Sequence, residues 1–514
     1  MFRKLQYILA TLLTVATCNL TGGNSVYATD ISDALIYNSQ RFLATDQSVD
    51  VDGIVMYFVN VYVYENGAYK KLTPNDDFTY TMSDAAGNEY YTLEDYGKYQ
   101  LTITGTGDYT GSVSQSMYKV EGGNWDNYKA ESFSNIDNDN QVITIMNEAE
   151  FALLSYRFHS VSYSWLSGWT FLLDRDLDMS AHSWNPIGCP SKPGDEASFQ
   201  GHFDGQGHTI SGINVIGNGT SGGLYYRGLF GEVDRNSSIQ NFTLTESTIS
   251  SGKNSGVGGI VGVFSHDSYI QNCHITNSVQ VLCTNGNNTR GSGWCYGGIV
   301  GYSYGSIKGC TCAADVFMVP DVEGIQCGRF GGIIGGHEGS ACWKYVNRDN
   351  VYYGKHVYCT EYASTIAGHI DDEVYYVATA FQNNTYVPGV NASLPAIGNS
   401  TASDSYPSAL LDVNDIEPSE FGTKVNEYKY NDLSLTVYSN AMVQGDKCFM
   451  RNAVNTRNGI RAFNSGDEST TDNIQISDDA PSISSWYTID GHHLPTPPTT
   501  PGLYILNGKK VMIR

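Results

Sequence analysis

Gly228-Leu229-Phe230-Gly231, Gly259-Ile260-Val261-Gly262, Gly298-Ile299-Val300-Gly301 and Gly332-Ile333-Ile334-Gly335 recur at steps of 31, 39 and 34 residues. A period of this size marks an array in which one supersecondary unit is stacked on the next. Downstream of the closing glycine the first two copies agree position by position, with Ile239, Phe242 and Leu244 in one and Ile270, Cys273 and Ile275 in the next. The third copy places Ile307, Cys310 and Cys312 after a turn two residues shorter. Residues i and i+2 of a strand share a face, so these positions are predicted to point inward and stack from coil to coil. The glycines supply either positive φ or close backbone packing where the chain turns a corner. The fourth copy departs from the pattern after Gly335, and regular coiling is predicted only to about Tyr353.

The glycine tetrapeptides resemble the GLUG repeats of bacterial surface proteins. Upstream, Phe203-Asp204-Gly205-Gln206-Gly207-His208-Thr209-Ile210-Ser211-Gly212 resembles the turn that opens many pectate-lyase-like β-helices. Together they imply an all-β chain built on a right-handed parallel β-helix over residues 141–395. Asn147 with Glu150 three residues later forms a capping box, followed by Phe151, Leu154 and Phe158 at helical spacing. One short helix is predicted there, placed to cover the open first coil.

Further towards the N-terminus, residues from Val51 to Val120 alternate apolar and polar side chains, as in Val59-Asn60-Val61-Tyr62-Val63-Tyr64. That pattern predicts half-buried antiparallel strands. Gly105-Thr106-Gly107-Asp108-Tyr109-Thr110-Gly111 resembles the ending of small immunoglobulin-like modules of bacterial surface proteins. The resemblance implies a β-sandwich spacer over 45–120, with 121–140 as linker. At the start, Arg3 and Lys4, the apolar run Tyr7 to Thr17 and Val26-Tyr27-Ala28 form a signal peptide, 1–28, cleaved after Ala28. Cys18 after Val15-Ala16-Thr17 offers a second reading as a lipid-bearing cysteine, although threonine is atypical there.

At the other end, residues 396–479 mix turns and strand-like pieces and suggest no role. Residues 480–514 contain Trp486-Tyr487-Thr488-Ile489-Asp490-Gly491 and Gly502-Leu503-Tyr504-Ile505-Leu506-Asn507-Gly508-Lys509-Lys510-Val511. This stretch resembles the sorting segment of proteins exported by type IX secretion. It also reads as a hairpin turned at Asn507-Gly508.

The net charge is −24 over 514 residues. An acidic surface repels nucleic acid and anionic lipid, and no segment of the mature chain is long and apolar enough to span a bilayer. Expected partners are an extracellular glycan or a surface protein, at a secreted, cell-surface or outer-membrane-associated location.

No catalytic residue, cofactor or metal site is assigned. Gly301-Tyr302-Ser303-Tyr304-Gly305 satisfies the nucleophile-elbow pattern, but Gly301 is a repeat glycine and no helix follows. Asp204 with His208 suggests an acid and base pair, yet a corner-forming turn explains both. Asp174, Asp176 and Asp178 share one strand face, where calcium would need about six to eight oxygens from a curved loop. Asp315, Asp321 and Glu323 show no spacing that singles out a hydrolytic pair, and Lys253, Arg290, Lys308 and Arg329 follow no repeat position. Cys273, Cys310 and Cys312 occupy core-ladder positions, where cysteine behaves as a small hydrophobe. Disulfides are the alternative in an exported chain. The preferred reading is an adhesin-like surface protein; the alternative is a polysaccharide lyase or glycoside hydrolase.

Overall fold

The computed structural model describes residues 28–160, 166–189, 197–216, 226–251, 256–265, 267–284, 294–320, 328–337, 347–360, 362–370, 381–382, 384–386 and 389–398, together with the backbone of short strands between 413 and 513. Residues 1–27, Lys253, Arg290, Asp321 and Glu323 lie outside the described residues. The chain divides into two units, 1–466 and 467–514.

The first unit is dominated by a parallel β-solenoid of about five turns with four walls. One coil runs through Ser238–Thr245 on the first wall, Thr248–Ser251 on the second, Gly256–Gly258 on the third and Val261–Phe264 on the fourth, then re-enters the first wall at Tyr269–Ile275. Among the described residues the second, third and fourth walls each contain five strands. The inward columns follow the register expected from the repeats. Ile239, Ile270 and Ile307 are opposed, as are Leu244, Ile275 and Cys312. Phe242 opposes Cys273, and Cys310, one residue before Thr311 in the next strand, continues that column. All are buried, and each fully buried large apolar side chain stabilises the fold by roughly 1.5 to 3 kcal/mol.

The glycine tetrapeptide bridges the third and fourth walls. Its second and third residues stack inward as Leu229, Ile260, Ile299 and Ile333 beside Phe230, Val261, Val300 and Ile334. None of the eight repeat glycines has positive φ. Their function is close approach: a Cβ would lie 2.5 Å from the Arg227 nitrogen at Gly262, 2.3 Å from that of Val257 at Gly301, and 2.4 Å from that of Tyr296 at Gly335. The fourth wall of each coil therefore meets the third wall of the preceding coil at backbone contact.

Coiling continues past Tyr353. Ala367–Ile370 pairs with Ile334–His337, so Thr365-Ile366-Ala367-Gly368 is a fifth tetrapeptide with threonine in the first glycine's place. The periodicity fades because Asn347 and Asn350 stand where Ile307 and Cys310 stood. Their buried amides bond to the chain instead: Ile307 N donates to Asn347 Oδ1 at 3.0 Å, Cys310 N to Asn350 Oδ1 at 3.0 Å, and Asn350 Nδ2 to Asn384 Oδ1 at 2.9 Å. The Asn350 amide is bonded at both ends and Asn347 Oδ1 satisfies a backbone N–H, so the coil is preserved without an apolar side chain at either position.

A helix, α1, spans Val51–Phe58, where alternation predicted a strand. Val51, Ile54 and Val55 are its buried residues, at spacings of three and four, and tertiary burial of that stripe overrides the β-propensity of valine and isoleucine. The rest of the N-terminal region forms a four-stranded sheet (Phe42–Ala44, Ser112–Val120, Gly97–Gly105, Phe78–Ser83) and a three-stranded sheet (Leu35–Asn38, Val59–Glu65, Ala68–Lys71). They share one core containing Val59, Val61, Val63, Leu101, Ile103 and Met117.

A second helix, α2, spans Glu148–Ser160. Glu150 N donates to Asn147 Oδ1 at 3.0 Å, while the Glu150 carboxylate reaches Met146 N and Ser134 N, each at 3.0 Å. Phe151 stacks on Trp184, and Phe158 meets Phe171 and Phe199 edge-on. Within 121–140, Trp125 and Phe133 belong to the solenoid core, and Trp125 Nε1 donates to Met179 O at 2.9 Å.

In the second unit, Gly502–Leu506 pairs antiparallel with Lys509–Ile513 and sets Leu506 opposite Lys509, the register of a hairpin closed by two residues.

Candidate functional site

Alternation sends three rows of side chains outward from the first wall. His202, Ser238, Tyr269 and Ser306 form one row; Asp204, Gln240, Gln271, Lys308 and Arg348 the second; Thr209, Thr243, His274 and Thr311 the third. Neighbouring members are about 4.8 Å apart, the spacing of adjacent strands.

The second row is a directed chain of amides. Gln271 Nε2 donates to Gln240 Oε1, and Gln240 Nε2 donates to Asp204 Oδ2 at 2.9 Å. The acid stands at one end, and Lys308 and Arg348 at the other. Beside it, Asn241 and Asn272 have φ of 60° and 49°, a region asparagine tolerates. Asn272 Nδ2 donates to Asn241 Oδ1 at 2.7 Å, and Asn241 Nδ2 to Asp204 Oδ1 at 3.0 Å.

Burial pushes the His274 imidazole down to about 3, so it is neutral at ordinary pH. Its Nε2 faces Asn272 Oδ1 at 3.2 Å, an oxygen that only accepts. The proton therefore sits on Nε2, and Nδ1 accepts from the Thr311 hydroxyl at 2.8 Å. His202, lowered by burial, bonds Ser238 Oγ at 2.9 Å. The result is a wall of fixed amides, hydroxyls and neutral rings in which Ser238, Gln271, His274 and Thr311 are buried, His202, Asp204, Gln240 and Lys308 are half-buried and the Tyr269 ring is 37% exposed.

The second wall is covered. Leu282, Phe317 and Val319 on the solenoid pack with Leu35 and Tyr62 of the N-terminal region, and Tyr37, Tyr69 and Tyr358 border them. Arg41 Nη2 meets Glu246 Oε2 at 3.1 Å, both side chains buried, while Arg41 Nη1 donates to Ser247 O at 3.2 Å. Gln280 Nε2 donates to Ile36 O at 2.8 Å. The strand Val59–Glu65 of the expected half-buried sheet is thus covered on its outward face as well, because Tyr62 there is an amphipathic ring that packs on the solenoid.

The sequence candidates separate here. Asp204 and His208 are not brought together as an acid and base. The carboxylate of Asp204 receives Gln206 N, Gln240 and Asn241, while His208 Nδ1 meets Asp176 Oδ1 at 2.9 Å. Asp176 also receives Thr209 N, and Asp178 receives Ser180 N. Ser303 is fully buried in the solenoid interior, its hydroxyl within 3.3 Å of Gly305 N. Arg329 is buried on the third wall. Cys273, Cys310 and Cys312 are buried thiols, and burial pushes Cys312 up to about 12. Asp315 lies on the second wall under the N-terminal region, raised to about 7 by burial. Gln240, Gln271 and His274 were missed by sequence reasoning; the signal that marks them is the register itself, one residue after each inward column member.

Over 109 residues, 20% of this chain and 11% of the relative, the chain is 33% identical to a protein of Evansella cellulosilytica named as a Gly-rich membrane protein. Over 97 residues, 17% of this chain and 1% of the relative, it is 33% identical to halomucin of Haloquadratum walsbyi. The chain spans only a small part of the length of either relative. A solved structure described as an immunoglobulin A1 protease of Bacteroides ovatus is similar at 22% identity and a TM-score of 0.31, covering 48% of this chain and 65% of that one. No family model matches the chain. Among the described residues no helix is long and apolar enough to cross a membrane.

Proposed function

We propose that this chain is an exported, adhesin-like surface protein that binds a glycan on the outer face of the first wall. The observation that carries the reading is the contrast in outward rows: on the second wall the row Leu282, Phe317 and Tyr358, beside Thr248, Gln280 and Asp315, is filled by the chain's own N-terminal region, whereas on the first wall Tyr269 is exposed and His202, Asp204, Gln240, Ser306 and Lys308 are partly exposed beside buried amides and hydroxyls in fixed register. Sugars are recognised by planar hydrogen-bonding groups beside an amphipathic ring, and a solenoid supplies a rigid, extended surface for them. The names of the two partial relatives are in keeping with a surface location.

In this reading residues 1–28 are an export signal and 45–120 an immunoglobulin-like module. Residues 121–140 connect that module to the solenoid of 141–395, and α2 covers its first coil. The tetrapeptides are GLUG repeats, and 480–514 is the sorting segment.

The test is incubation of residues 29–514 with a panel of plant, host and bacterial polysaccharides, following retention and new chain ends together. Retention without new ends supports the reading. New chain ends would favour the lyase or hydrolase alternative.

A further inference from the structure

The N-terminal module carries an exposed surface that neither the ligand reading nor the seat on the solenoid uses. We propose that helix α1 and residues 84–97 together form a docking face for a cationic partner polypeptide, whose arginine or lysine side chains stack on Tyr57 and Tyr91 and pair with the carboxylates of the same two segments.

Local structure makes the face. Val49 and Asp50 pair antiparallel with Leu93 and Thr92, and Val51 N donates to Tyr91 O at 3.0 Å, so the start of α1 lies against residues 84–97. Val51, Ile54 and Val55 turn into the module, which leaves Asp52, Met56 and Tyr57 on the outer stripe of the helix. On the other segment alternation turns Tyr90 towards the core, its hydroxyl donating to Asp84 Oδ2 at 3.0 Å, and Tyr91 outward. Eight large apolar or aromatic side chains stand exposed among the described residues, and four of them are here: Met56, Tyr57, Tyr91 and Tyr96. Tyr57 is 81% exposed and Tyr91 70%, against 37% for Tyr269 on the first wall. Rings concentrated in water in this way contribute little to the fold and mark a contact surface.

Charge selects the partner. Residues 45–58 and 84–97 contain no lysine, arginine or histidine, and Asp46, Asp50, Asp52, Glu89, Glu94 and Asp95 are exposed on them. The neighbouring cations are engaged elsewhere: Lys98 Nζ lies 3.5 Å from Glu246 Oε1 on the solenoid, and Lys119 is buried with its Nζ donating to the carbonyls of Leu93 and Glu94. Lys119 Nζ also stands 5.5 Å from the centre of the Tyr96 ring, so one ring of the face already holds a cation from the module's side. Six exposed carboxylates with no cation on either segment oppose a second copy of the same face, an anionic polysaccharide and an anionic membrane by like-charge repulsion. A neutral sugar would use the rings and leave the carboxylates without a role. A guanidinium or ammonium uses both, stacking on a ring while it pairs with a carboxylate.

The probe is a fluorescent nona-arginine peptide, whose binding to residues 29–514 is followed by anisotropy at about 0.15 M salt. Tyr57→Ser with Tyr91→Ser should keep the denaturant midpoint and weaken binding about tenfold. Asp50→Asn with Glu94→Gln should weaken it about fivefold. Glu131→Gln with Asp139→Asn removes the same charge from exposed positions outside the module and should change binding by less than about twofold. Hydrogen exchange of the native chain should slow within 45–58 and 84–97 when the peptide is added. Absence of binding, equal weakening by the two acid pairs, unchanged binding after removal of the rings, or exchange slowed at other segments instead would overturn the proposal. The exchange measurement decides even if a variant fails to fold. Loss of polysaccharide retention in Tyr57→Ser with Tyr91→Ser would assign the face to a sugar instead, and a native mass that doubles with concentration but not in that variant would assign it to a second copy.

Discussion

The first and second walls of the solenoid are made by the same coils and share the same interior, yet they meet different partners. On the second wall one outward row runs Leu282 to Phe317 to Tyr358 and packs against the module, beside a row of Thr248, Gln280 and Asp315. On the first it runs Gln240 to Gln271 to Lys308 to Arg348. The inward columns decide that the coil forms; the outward rows decide what it touches. Tertiary covering of an apolar wall is thus an alternative to a polar surface, and each repeat carries both solutions.

The comparison breaks most completely where the two walls share a scaffold. Gly301→Val should abolish both, because its side chain would enter the backbone of Gly256 and Val257. The expected loss is about 3 kcal/mol or more, read from the denaturant midpoint. Next, Arg41→Ala leaves the buried Glu246 carboxylate with only the half-exposed Lys98 at 3.5 Å as its ion partner and should cost about 3 kcal/mol, whereas Arg41→Met with Glu246→Leu should cost clearly less. Phe317→Ala should cost about 3 kcal/mol and loosen the second wall alone, seen as binding of an apolar dye that the native chain does not take up. Asn272→Ala removes a buried amide at a positive-φ position within the strand Tyr269–Ile275 and should cost about 1 to 3 kcal/mol. Smallest of all in stability, Lys308→Ala on the half-buried first wall should shift the midpoint by under about 1 kcal/mol.

Much of this was legible in the sequence. The tetrapeptide fixed the period, and the columns Ile239, Phe242 and Leu244 to Ile307, Cys310 and Cys312 fixed the register, because a buried interior leaves only one phase of alternation. The fifth coil was not legible, since Asn347 and Asn350 replace apolar side chains by amides that satisfy backbone groups, which hydrophobic pattern does not record. Helix α1 was hidden by its valines and isoleucine. The seat of the module was hidden by tyrosine, which counts as polar in an alternating pattern and packs as an apolar ring. The outward rows were visible only as leftovers of the inward columns, so Gln240, Gln271 and His274 were passed over in favour of carboxylates that serve turns.

The most direct test compares retention on the polysaccharide panel by the native chain and by the combined variant Tyr269→Ala and Lys308→Ala, after both show the same denaturant midpoint within about 1 kcal/mol. The account predicts retention of the native chain and its loss in the variant with the fold intact. Equal retention by the two would contradict the assignment of the first wall as the ligand face.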